Sequence, residues 1–122
     1  MARFIYYNRN PDGDTESDCV TRAISLASGL PYQEIRKKLY HVSKLYNCER
    51  LCVCCYRHLL DDIFEYERVN GEGYLVGDFA DLNPYGIYLL RVDGHLTISY
   101  DGDIYDIWDC RNSVITDAWR VK

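Results

Sequence analysis

Apolar residues in the first half of the chain recur at the spacing of buried helix faces. Val20, Ala23, Ile24 and Ala27 follow the i, i+3, i+4, i+7 pattern. They lie between a polar cap at Ser17 or Asp18 and Gly29, a residue suited to closing a helix. Pro31 sits at the first-turn position that tolerates it, opening a second helix to about Tyr46 that buries Ile35, Leu39 and Val42. Cys52, Cys55, Leu59 and Leu60 mark one side of a third, from Leu51 to about Ile63. Beyond it the period changes. Phe64 to Val69 reads as an edge strand and Asp78 to Leu82 as a single helical turn. Strands follow at Gly86–Val92, His95–Tyr100, Asp103–Trp108 and Ser113–Val121. Arg3 to Tyr7 is a further short strand by its aromatic and β-branched content, followed by a polar loop from Asn8 to Ser17. No repeat or linker interrupts the pattern, so residues 1–122 are expected to form one domain. Helices first and an antiparallel sheet afterwards define an α+β fold.

Two Asp-Gly pairs, Asp93-Gly94 and Asp101-Gly102, are the strongest short-range hairpin signals in the chain. A two-residue turn at Asp101-Gly102 pairs Tyr100 with Asp103, which sets Ser99 opposite Ile104, Thr97 opposite Asp106 and His95 opposite Trp108. Opposed residues share a face. His95, Thr97, Asp106 and Trp108 therefore fall together, and Leu96, Ile98, Tyr105 and Ile107 form the core face.

Composition narrows the class of protein. Hydrophobic residues make up 48%, enough for one core, and the formal net charge is -5. The basic residues are scattered apart from Arg36-Lys37-Lys38, which reads as a solvated helix face. Nucleic acid is not an expected partner, because that electrostatic footprint needs clustered Lys and Arg. No segment approaches the roughly 20 apolar residues of a membrane span, and Met1-Ala2-Arg3-Phe4 lacks a signal-peptide apolar run. A cytoplasmic location is expected, in which the six Cys remain thiols. Cys48, Cys52, Cys54 and Cys55 have one Cys-x₃-Cys spacing and no second knuckle, with Cys110 alone, so they read as core or boundary thiols rather than a zinc site. His41 and His58 read as helix surface residues.

Three residues carry candidate chemistry. A thiol nucleophile needs a base to make its thiolate and a third group to orient that base. Cys19 falls at a helix start, where the helix dipole favours thiolate and backbone N–H groups point outward to meet an oxyanion. His95 is the expected base, and Asp106 on the same face the expected orienting acid. Asp109 is the alternative third member, and Trp108 the expected cover of the site.

A helix-start Cys, then a strand His, then an acid or amide on the following strand resembles the papain-like cysteine peptidases. Asp106-Ile107-Trp108 has the spacing of the Asn-Ser-Trp of papain, and Asp in place of Asn is similar to bacteriocin-leader-processing peptidases and transglutaminases of that superfamily. Asp18-Cys19-Val20 with Arg22-Ala23, Gly94-His95-Leu96, and Ile104 to Cys110 look more closely like small cysteine-peptidase-like proteins of bacteriophages and their bacterial hosts. The chain departs from the superfamily pattern in one respect. The loop from Asn8 to Ser17 holds no Gln to help bind the oxyanion, which leaves Asn10 and Thr15 as candidates.

The resemblance implies a papain-like α+β domain performing thiol-dependent acyl transfer on a protein or peptide substrate through Cys19, His95 and Asp106, with no cofactor. Water as acceptor makes it a peptidase or amidase, an amine a transglutaminase-like transferase. A different class also remains open: a non-catalytic binding module that uses its twelve Tyr as a contact surface.

Overall fold

A computed structural model describes residues 1–13 and 18–121. Among the described residues, four α-helices and one π-helical turn pack around a six-stranded sheet. The helices are α1 (Cys19–Ser28), α2 (Tyr32–Tyr46), α3 (Val53–His58) and α4 (Val76–Leu82). The strands are β1 (Phe4–Tyr6), β2 (Glu67–Val69), β3 (Ile87–Val92), β4 (His95–Tyr100), β5 (Asp103–Asp106) and β6 (Asp117–Arg120), in the spatial order β1-β5-β4-β3-β6-β2. All neighbours are antiparallel except β1 and β5, which run parallel. The architecture is mixed α+β, as the sequence pattern implies.

Local signals explain the helix ends. Gly29 takes a φ of 75° and returns its N–H to the Ser25 carbonyl, closing α1. Asn47, at a φ of 53°, closes α2 in the same left-handed conformation. Pro31 stands just before α2 rather than inside it. The third helix begins two residues after Leu51 and widens into a π-helical turn over Leu59–Ile63. Phe79 anchors a fourth helix two residues longer at its start than the Asp78–Leu82 turn expected from sequence.

The sheet is buried on both faces, which the alternation in the sequence does not show. Leu96 and Ile98 face one core with Ile24 of α1, Ile35 and Leu39 of α2 and Leu59. Leu90, Val92 and Ile104 face a second core with Val76, Phe79 and Ala80 of α4. The face expected to be polar is thus covered, and Thr97 and Ser99 on it are 1% and 0% exposed. The expected strand Asp103–Trp108 ends at Asp106, and Ser113–Val121 contributes only Asp117–Arg120, inserted between β3 and β2.

Candidate active site

The turn at Asp93-Gly94 pairs Val92 with His95, and Asp101-Gly102 pairs Tyr100 with Asp103 and Ser99 with Ile104. A two-residue turn makes its flanking residues a hydrogen-bonded pair, so the next pair, Arg91 with Leu96, turns its backbone groups away from the partner strand. The N–H of Leu96 therefore points toward β5. The β5 ladder does not extend that far, for it pairs with β4 only at Ser99 and Tyr100. The Cys19 thiol lies beside Leu96, whose N–H helps lower its pKa.

Helix α1 packs against the Leu96 and Ile98 face, whereas His95 shares the opposite face with Thr97 and Asp106. Thiol and imidazole meet at the gap left by the short β5. There the two side chains interact, each favouring the other's charged form. His95 Nε2 lies 2.6 Å from Asp106 Oδ2, which leaves Nδ1 as the nitrogen for the sulfur. Thr97 Oγ1 donates to the same carboxylate oxygen at 2.7 Å, and the Ile107 N–H donates to Oδ1 at 2.8 Å. The Trp108 ring stands edge-on to the imidazole with centroids 4.8 Å apart and is 49% exposed. It covers His95 from a bend beyond the strand end rather than from a ladder position.

Charge alternates through the site. Burial pushes the Cys19 thiol up, but the hydrogen bonds from His95 and Leu96 and the positive ring outweigh it, and its pKa is lowered. Burial alone would keep His95 neutral. Hydrogen bonds to Asp106, Cys110 and Cys19 and the Asp106 charge instead raise its pKa to about 11. The two shifts run in opposite directions, toward a more acidic thiol and a more basic ring.

Behind it, Arg22 pairs with Asp18 and lies 3.9 Å from Asp106 Oδ1. Asp18 is also held by Tyr32 Oη at 2.6 Å and Asn10 Nδ2 at 2.9 Å. Its carboxylate makes no cap to the helix, contrary to the role expected of it, because these partners claim it.

The remaining expected residues fall as follows. Asp109 is an exposed surface acid bound to Arg111 at 2.8 Å, so Asp106 alone meets His95. The Asn10 amide is engaged by Asp18 and Tyr32, which takes it away from an oxyanion role. Thr15 and Ser17 lie outside the described residues. His58 stacks on Tyr46 and bonds Asp62. Sequence reading missed Arg22 as a partner of Asp106 and, though it set Thr97 opposite Asp106, gave Thr97 no role in the site. It also set Cys110 apart, although the fold brings it to the His95–Asp106 pair.

Space around the thiol is one-sided. Between α1 and Tyr105 only about 10 Å³ is open. On the other side a cleft of about 160 Å³ is walled by Val20, Leu51, Val53, Tyr56, Val92 and Leu96 with Cys19 and His95 in it. No family model, curated protein or solved structure matches the chain. No helix among the described residues is long and apolar enough to cross a membrane.

Proposed function

We propose that this domain is a thiol-dependent acyl-transfer enzyme of papain-like build, acting as a cysteine peptidase or amidase. The observation carrying the reading is the continuous chain Cys19–His95–Asp106, with the acid fixed by Thr97 and the Ile107 N–H. Three residues from three separate segments meet in the order that thiol catalysis needs. The mechanism follows from their positions. The Cys19 thiolate attacks an amide carbonyl lying in the cleft. Backbone N–H groups at the start of α1 receive the oxyanion. Imidazolium at His95 gives its Nδ1 proton to the leaving amine, and the neutral ring then takes a proton from water, which attacks the thioester and releases the acid. Asp106 holds the ring in the tautomer that keeps Nδ1 toward sulfur. The aliphatic part of the cleft wall, which Arg91 also lines, favours a substrate with an aliphatic or aromatic side chain beside the scissile bond.

The test is the pH dependence of iodoacetamide labelling, read residue by residue by mass spectrometry. Cys19 is expected to react well below the usual thiol pKa of roughly 8.5, and His95→Ala to remove that low-pH reactivity. A Cys19 that labels no faster at pH 6 than Cys54 overturns the reading.

A further inference from the structure

Cys110 is 1% exposed and lies beside the His95–Asp106 pair. Its sulfur is 4.0 Å from Asp106 Oδ2, which in turn is 2.6 Å from His95 Nε2, and all three ligand atoms lie within 4.8 Å of one another. Imidazole nitrogen, carboxylate oxygen and thiolate sulfur are the donor set that zinc takes, at about 2.0–2.3 Å each. A tetrahedral ion at those lengths needs ligand separations of about 3.4 Å for N to O and about 3.6 Å for O to S. The His95–Asp106 pair would open by under about 1 Å and the Asp106–Cys110 pair would close by less, within the reach of side-chain rotation.

The surroundings suit the ion. Thr97 and the Ile107 N–H already orient the carboxylate, as outer partners orient metal ligands. One thiolate and one carboxylate neutralise a divalent charge. The nearby positive group, Arg22, faces the other carboxylate oxygen and is paired with Asp18.

We propose that His95 Nε2, Asp106 Oδ2 and Cys110 Sγ form a zinc-binding site on the far side of the imidazole from Cys19, and that its occupancy silences the thiol. Binding releases the Cys110 proton and the Nε2 proton to solvent. The ring is then neutral, with its one proton on Nδ1. It no longer stabilises the Cys19 thiolate as an imidazolium, nor has it a proton to give the leaving amine short of becoming imidazolate. Cation binding stands on the geometry of the three ligands, while the silencing rests on the acyl-transfer reading.

Zinc titration by calorimetry and cobalt titration by absorption test the site in the intact protein. One cation per chain is expected, with the charge-transfer band of a single thiolate. Cys110→Ser should lose that band, whereas Cys19→Ser and Cys54→Ser should keep it. Stoichiometric zinc should slow Cys19 labelling at pH 6.5 at least tenfold in the parent and leave Cys110→Ser unaffected. Should that variant misfold, the ¹⁵N resonance of His95 Nε2 in the parent must still move on adding zinc. No binding at micromolar zinc, or a multi-thiolate spectrum that vanishes with Cys54→Ser, refutes the site and assigns the metal to the Cys48–Cys55 thiols. Binding without any slowing of a reactive Cys19 refutes the silencing. A Cys19 that is sluggish even without metal overturns the acyl-transfer reading and leaves the cation site standing.

Discussion

Replacing Asp106 by Asn tests the central electrostatic argument. At 2.6 Å, with both side chains nearly buried, the His95–Asp106 attraction at an effective dielectric of 20 is about 6 kcal/mol. At about 1.36 kcal/mol per pKa unit, this is more than four units, enough to take an ordinary histidine from 6.5 to the value of about 11 that His95 reaches. In Asp106→Asn that attraction is gone while the burial that opposes a charged ring remains. His95 is therefore expected to titrate at or below 6.5, and Cys19 labelling to shift toward roughly 8.5. Turnover should fall by on the order of 10⁴, as when an orienting acid is lost in a comparable triad.

The linkage has a definite sign. The folded-state pKa of His95 lies above its unfolded value, so the pair stabilises the protein fully below about pH 6.5 and progressively less as pH rises toward 11. The parent should lose stability across that window, and Asp106→Asn should show a flatter profile there. Histidine ring NMR, labelling kinetics and urea melts at several pH values measure the three quantities. A His95 that still titrates above 9 in the Asn variant refutes the reasoning, because another group would then be holding the charge.

Further variants separate the site from its scaffold. Cys19→Ser should abolish acyl transfer while moving the thermal midpoint little, since the sulfur is only part-buried; turnover and calorimetry on one preparation check both. Asp109→Ala removes an exposed pair with Arg111 worth at most about 1 kcal/mol, so kcat/KM should stay at the parental value. Gly102 has a φ of 83°, and an added Cβ would come within 3.2 Å of Pro84 Cα. Gly102→Ala should cost on the order of 1–3 kcal/mol in a urea melt. In Cys110→Ser, EDTA should leave the circular dichroism melt unchanged, because Cys55 is a buried core residue bonded to the Leu39 carbonyl rather than a structural metal ligand.

What could be read from sequence is what neighbouring residues decide. The Asp101-Gly102 turn sets the β4–β5 register, and that register alone puts Thr97 and Asp106 together. The periodicity of Val20 to Ala27 puts Cys19 at a helix start. Contacts between distant segments left no such signal. Nothing local says that β1 lies parallel to β5, that β6 slips between β3 and β2, or that α4 covers the second face of the sheet. Arg22 looked like any helix cation until the fold set it between Asp18 and Asp106. Cys110 looked solitary because its partners are chosen by the bend after β5, not by spacing to another Cys.

The gap beside β4 also fixes when the thiol can become reactive. Cys19 stands early in the chain, while the N–H beside it and the ring it faces belong to β4, and Asp106 comes later still. The backbone carbonyl of Asp106 also accepts the Tyr7 N–H, stitching the N-terminal strand to the last segment needed. A chain emerging from the ribosome therefore carries Cys19 as an ordinary thiol until residues 95–106 have been made. Under the proposed chemistry the nascent protein cannot acylate itself or its neighbours, and reactivity switches on only when α1 docks on the folded β4–β5 hairpin.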